Sequence, residues 1–159
     1  IKYTQVSAGQ KYSVLLRSDG IAVACGTNGC KQCDIPPLPD GMTYTQVSAG
    51  QFHTVLLRSD GYAVSCGQLT GECDIPLLTD GMTYTQVSAG LYNTVLLRSD
   101  GIAVACGQHL SGQCDIPTLD PGTWYAADVS VGRNLVLQLD CSCQADAMLL
   151  TFSGLMGTK

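Results

Sequence analysis

At 159 residues the chain has the length of one domain and is large enough to bury a core. Charged residues make up 13% of it against 45% hydrophobic, about half the charged share of an ordinary soluble domain, which predicts that part of the surface is covered by something else. The net charge of −5, with eight scattered Lys and Arg, excludes the basic face that a nucleic-acid binder needs, and no apolar run approaches the ~20 residues of a membrane-spanning helix.

The chain opens on a phrase that it then repeats. IKYTQVSAG begins at Ile1, and GMTYTQVSAG stands letter for letter at Gly41 and at Gly81. The valine of QVSAG falls at Val6, Val47 and Val87, and a degenerate DVSVG adds Val129, giving steps of 41, 40 and 42. The glycine of RSDG (Gly20, Gly61, Gly101) and the cysteine of CDIP (Cys33, Cys73, Cys114) keep the same step. Three markers in phase imply a duplicated, stacked unit, and a period near 41 fits a four-stranded propeller blade better than a helical pair.

Within the second unit, YTQVSAG predicts a first strand whose small residues suit a place near a propeller axis. HTVLLRS predicts a second, and its apolar run Val55-Leu56-Leu57 suits a strand covered on both faces. Asp60-Gly61 reads as a hairpin turn, and YAVSCG as the third strand. ECDIP reads as a short outer fourth strand ended by Pro76. After Val129 the pattern breaks, and the tail predicts a hairpin from about Leu135 to Ser153. Residues 135–159 either complete a degenerate last blade or begin a following domain. The expected fold is therefore all-β. It is a propeller or partial propeller of about 3.5–4 four-stranded blades, with tandem repeats over residues 1–140 starting near 3, 44, 84 and 124. Ile1 falls inside a repeat and is not a Met, so the chain is expected to be processed or part of a longer polypeptide.

The stretch VSAGQFHTVLLRSDGYAVSCGQLTGECDIP resembles the repeat of the regulator of chromosome condensation superfamily over roughly residues 3–140. That pattern runs from a small-residue strand through Gly, His-Thr, an apolar strand and Asp-Gly to a strand ending in Gly. The resemblance implies a β-propeller, in that family usually of about seven blades. It also implies roles ranging from guanine-exchange factor and inhibitor to ligase-associated module and docking platform. This chain departs from the pattern. Its repeat is shorter, and Cys25, Cys66 and Cys106 stand where the family often has a bulky aromatic. It has too few repeats for the usual ring, and it lacks the basic tail and acidic loops of the chromatin-bound and exchange-active members. The dialect CDIPPLPDGMTYTQVSAG resembles the long tandem arrays of some algal genomes. By that analogy alone, a peripheral subunit of a plastid photosynthetic membrane complex is one alternative.

Nine cysteines are many for this length. Six recur in register: Cys25 with Cys33, Cys66 with Cys73, Cys106 with Cys114. Each pair would sit on the third strand and the adjoining fourth. They are candidate disulfides, provided that the Cα atoms approach to about 5.5 Å, or else buried thiols acting as small hydrophobes. Cys30 has no repeat counterpart. Cys141 and Cys143 face the same side of a strand, either as a sulfur-lined face or as a soft-metal pair. The x6 and x7 spacings within the repeated pairs do not suit zinc, so no metal or cofactor is expected.

No nucleophile elbow, Walker loop or zinc-protease motif is present, and the histidines are two, His53 and His109. The resemblance implies that His53, at the His-Thr position, supports its loop by hydrogen bonding. His109 reads as an exposed loop residue. Arg17, Arg58 and Arg98 recur with Asp19, Asp60 and Asp100, as expected of one structural pair per blade rather than a catalytic dyad. The chain is therefore not expected to be an enzyme.

In repeat proteins the variable positions carry specificity. One variable site follows VSAG: Gln10-Lys11-Tyr12, Gln51-Phe52-His53, Leu91-Tyr92-Asn93. Tyr12, Phe52 and Tyr92, with Lys11, His53 and Asn93, are the expected partner-binding set on one propeller face. The other variable site joins the third and fourth strands. Trp124 reads as core or inter-blade packing. The expected function is a non-catalytic protein-binding platform, an accessory or scaffold subunit stabilising a larger assembly. The alternative is an enzyme regulator of the exchange-factor or inhibitor type. Open blade edges allow self-association, and the compartment is not indicated.

Overall fold

The computed structural model describes residues 1–68, 72–79 and 81–119. Each of three repeats folds as a three-stranded antiparallel sheet. The first holds β1 (Tyr3–Ala8), β2 (Tyr12–Arg17) and β3 (Ala22–Gly26). The second holds β4 (Tyr44–Ala49), β5 (His53–Arg58) and β6 (Ala63–Gly67). The third holds β7 (Tyr84–Ala89), β8 (Asn93–Arg98) and β9 (Ala103–Gly107). The expectations for Trp124, Cys141, Cys143 and the Leu135–Ser153 hairpin lie outside the described residues.

Repeated sequence gives repeated detail. The ladder slips by one residue between Tyr3 and Gln5, Tyr44 and Gln46, Tyr84 and Gln86. The extra residue is a threonine each time, and its hydroxyl donates across the pair to Leu16, Leu57 or Leu97 O at 3.2–3.3 Å. The RSDG hairpins turn on Gly20, Gly61 and Gly101, at φ of 78°, 81° and 80°, a region that only glycine enters cheaply. Arg17, Arg58 and Arg98 each pair with the aspartate two residues on, at the turn, as the repetition implied.

The fourth strand is corrected. None of the described residues between β3 and β4, β6 and β7, or after β9 forms a strand. In each CDIP the isoleucine N–H bonds back two residues to the cysteine carbonyl, Ile35 to Cys33, Ile75 to Cys73 and Ile116 to Cys114, at 2.9–3.0 Å. That local turn consumes a ladder donor, and the following proline has none to offer. The segment instead runs as a connector that lays Ile35 and Leu38 against the core.

The core lies between sheets rather than within one. Tyr12, Val14 and Leu16 of the first sheet pack with Tyr44, Val47 and Leu56 of the second. Val55 and Leu57 of the second pack with Tyr84, Val87 and Leu96 of the third. The middle strands β5 and β8 are consequently buried on both faces, as their apolar runs predicted, whereas β2 alternates buried and half-buried. Full burial of one such side chain stabilises by about 1.5–3 kcal/mol, so the sheets depend on each other for stability.

The first strands β1, β4 and β7 line up side by side, and they are joined by side chains. Gln5 Oε1 and Ser7 Oγ accept from Val47 N and Ala49 N of the next sheet at 2.9 and 3.0 Å. Gln46 Oε1 and Ser48 Oγ do the same for Val87 N and Ala89 N at 3.2 and 2.9 Å. The VSAG glycines allow the close approach: a Cβ on Gly9 would lie 2.6 Å from Gly50 O, and one on Gly50 would lie 2.6 Å from Gly90 O. The invariance of Gln, Ser and Gly in the repeated phrase thus has a physical cause.

Candidate functional site

Each loop between the first and second strands begins at a VSAG glycine, and Gly9 N and Gly50 N bond to the carbonyls of Tyr12 and His53. Two positions in these loops have opposite fates. The third residue after the glycine is Tyr12, His53 or Asn93, and all three are buried. The second is Lys11, Phe52 or Tyr92; Lys11 is exposed and the two aromatics are half-buried. This corrects the partner-binding set. Tyr12, His53 and Asn93 open the middle strands and are withdrawn from solvent, so they do not meet a partner. Tyr12 also does not belong in a row with Phe52 and Tyr92. Counting from the glycine in each repeat would have separated the two positions.

The buried position stitches sheet to sheet. Tyr12 Oη donates to His53 O and accepts from Thr54 Oγ1, so the first repeat grips the second. His53 Nε2 meets Thr94 Oγ1 at 3.0 Å, so the second grips the third. Asn93 Nδ2 turns within its own repeat to Gln113 O at 3.4 Å. Burial pushes the Tyr12 hydroxyl up to about 12. Burial also holds the His53 imidazole down at about 4, against an opposing pull from the Glu72 carboxylate, so His53 is neutral at physiological pH. The loop-supporting role that the resemblance implied for His53 extends across a sheet interface.

The second variable site, between the third strand and the next repeat, also joins the sheets. Gln32 and Glu72, in the connectors, are 2% exposed. Gln32 O accepts from Thr54 Oγ1 at 2.7 Å and from the Cys66 thiol at 3.5 Å. Glu72 O serves Thr94 Oγ1 at 2.8 Å and the Cys106 thiol at 3.6 Å. Only the carbonyls do this work, and a carbonyl leaves no mark on residue type. That is why sequence reasoning missed them.

The cysteine pairs are corrected as well. Cys25, Cys33, Cys66, Cys73, Cys106 and Cys114 are free thiols, as is Cys30. Cys33, Cys73 and Cys114 point to loop carbonyls of Thr27, Gln68 and Gln108 at 3.1–3.5 Å. Cys66 and Cys106 are held up at about 12 by burial, which leaves them unreactive. Among the described residues no group of three or more His, Cys, Asp or Glu is placed to hold a metal. Nor is any helix among them long and apolar enough to cross a membrane.

The rim of these loops is accessible. Gln51 Nε2 donates to Gln10 Oε1 at 3.1 Å, tying the first two loops together. Leu91, the third loop's residue at that position, is 42% exposed. Gln10, Gln51 and Leu91 with Lys11, Phe52 and Tyr92 therefore form one stepped surface of mixed polar and aromatic character. The buried Tyr12, His53 and Asn93 beneath it hold it in place.

Residues 44–68 match the model of the regulator of chromosome condensation (RCC1) repeat. No curated protein matches the chain. Among solved structures, yeast RCC1 (Prp20) bound to Kap60 is similar at 22% identity, over 67% of this chain and 32% of that one, with a TM-score of 0.58. Human WBSCR16 is similar at 20% identity over 74% and 38%, with a TM-score of 0.64. A second structure of Prp20p from Saccharomyces cerevisiae, described with its binding to Gsp1p and histones, is similar at 19% identity over 78% and 35%, with a TM-score of 0.62. The chain spans about a third of the length of each, and at this identity the likeness establishes the fold.

Proposed function

From the premise that this chain is built of repeats of the regulator of chromosome condensation type, we propose that it is a non-catalytic protein-binding platform, an accessory or scaffold element of a larger assembly. The observation that carries this reading is the stepped loop surface. Half-buried aromatics on a rigid base, with polar neighbours, have the composition of interface anchors. The base is rigid because the loop ends are bonded into the interior. The solved relatives support the class: yeast RCC1 (Prp20) is bound to Kap60 in one structure, and Prp20p binds Gsp1p and histones. The low charge of the chain fits a surface that is covered in use.

The test is native mass spectrometry of the protein isolated gently from its source, beside a variant carrying Phe52→Ala, Leu91→Ala and Tyr92→Ala. Co-migration of the parent with a large complex, lost in a variant whose thermal midpoint is little changed, supports the platform reading. Co-migration that survives the triple substitution places the partner elsewhere and sinks it. A parent that migrates free, yet alters the nucleotide exchange or catalytic rate of an enzyme, would favour the regulatory alternative.

A further inference from the structure

Among the described residues, one position keeps a large apolar side chain exposed in all three repeats. It is the residue after RSDG: Ile21 at 45%, Tyr62 at 54% and Ile102 at 50% exposure. By contrast, Tyr3 and Val6 have buried counterparts, and Leu91 has the polar Gln10 and Gln51. The backbone under each exposed side chain is fixed. The carbonyls of Ile21, Tyr62 and Ile102 accept from Arg17, Arg58 and Arg98 N at 2.9 Å. Their N–H groups donate to Oδ1 of Asp19, Asp60 and Asp100 at 3.2–3.4 Å. The other oxygen of each carboxylate holds the arginine guanidinium. Arg58 Cζ also lies 6.0 Å from the centre of the Tyr62 ring and steadies it. Each turn therefore offers an apolar side chain on a clamped base, with its cation and anion paired off. Because the second strands run from the VSAG loops to these turns, this rim lies at the opposite ends of the sheets from the stepped loops.

We propose that the hairpin rim is the contact surface for a second copy of this chain, with a two-fold axis between the two Tyr62 rings. Two observations select that occupant. The first is charge. A chain of net charge −5 repels its own copies, but the turns are neutral, with every arginine matched by an aspartate, so two copies approach there without penalty. The second is order. The three RSDG turns of the sequence are followed by Ile, Tyr and Ile, which reads the same in both directions. The sheets of a propeller spread around an axis, so their turns lie on an arc. Two such arcs meeting face to face coincide only when they run in opposite directions. Ile21 of one copy then meets Ile102 of the other at both ends, and Tyr62 meets Tyr62 in the middle. The Arg17–Asp19 pair meets Arg98–Asp100 of the other copy with its direction reversed, so each cation approaches an anion. This rim shares no residue with the stepped loops, so the inference stands apart from the platform reading.

The test is sedimentation of the full chain, under reducing conditions so that exposed thiols cannot link copies, from about 1 µM to 1 mM. The parent mass is expected to rise with concentration from 16.7 kDa to twice that value. Tyr62→Lys sets like charges against each other and should stay monomeric, as should Ile21→Lys with Ile102→Lys. Ile21→Lys with Ile102→Asp carries as many new charges but pairs them across the axis, and should restore the dimer. All of these positions are exposed, so the thermal midpoints should match the parent's. Phe52→Ala, Leu91→Ala and Tyr92→Ala should leave the dimer intact, which separates this result from that of the platform reading. A parent that stays at 16.7 kDa throughout overturns the proposal, as does a dimer that survives Tyr62→Lys. Failure of the Lys–Asp variant to recover overturns the reversed pairing, because turns meeting in the same order would set Lys on Lys and Asp on Asp. A mass that climbs past the dimer overturns the two-fold.

Discussion

His53 gives the most direct test of how the sheets are joined. Its imidazole is 1% exposed and held at about 4 by burial, against 6.5 for a free histidine. Between those two values the unfolded chain binds a proton that the folded chain refuses. Stability is therefore complete above about pH 6.5 and is lost as the pH falls toward 4; below that this group takes nothing more away. The interval corresponds to about 3 kcal/mol. Other groups titrate in the same range, so the assay needs a variant that removes the imidazole and keeps the join. The first repeat supplies one, since Tyr12 fills the same position with its ring over Gly9. In His53→Tyr the hydroxyl is expected to reach Asn93 O and Thr94 Oγ1, as Tyr12 Oη reaches His53 O and Thr54 Oγ1. Urea unfolding from pH 4.5 to 7.5 should then show the parent losing more stability toward acid than the variant, by about 2–3 kcal/mol across the range. Parallel curves for the two proteins would refute the buried, neutral imidazole.

Three further outcomes follow from the geometry. Gly50→Ala puts a Cβ against Gly90 O and the His53 ring. It should destabilise by about 1–3 kcal/mol in chemical unfolding, whereas Gly41→Ala, at φ 77° with open space around it, should cost about 1 kcal/mol. Tyr44→Phe leaves Pro36 O without its donor and should cost about 1 kcal/mol, while Tyr3→Phe, at an exposed position, should leave the thermal midpoint where it was. In the native chain at pH 8, iodoacetamide should modify Cys25 well before Cys66 or Cys106, which burial holds near 12; equal rates would contradict the inter-sheet burial.

Much of the fold was legible because the sequence repeats itself. QVSAG, VLLR and RSDG each mark a strand or turn through properties that residue type carries: small size, unbroken apolarity, a glycine at positive φ. Three sheets and their phase follow from these. The connector was not legible. CDIP alternates and ends in proline, as an edge strand does, but the back-bond from Ile35 N to Cys33 O cannot be seen in a string of residue names. The loop surface was half legible. Variation between repeats located it at Gln10–Tyr12, Gln51–His53 and Leu91–Asn93. Aromatic character does not distinguish exposure from burial: the Tyr12 ring is buried because its hydroxyl finds Thr54 and His53 O. The carbonyls of Gln32 and Glu72 carry no sequence signal at all.

The Gln and Ser side chains that reach from one first strand to the next have a consequence for solubility. A strand at the margin of a three-stranded sheet presents bare N–H groups, which are a template for another strand to add on and for chains to aggregate. In this protein Val47 N, Ala49 N, Val87 N and Ala89 N are already occupied, each by a side-chain oxygen from the neighbouring sheet. An amide and a hydroxyl can satisfy an edge without extending it, because they end where a backbone would continue. The repeated phrase thus caps as well as joins, and an array of such units can lengthen without growing a continuous sheet.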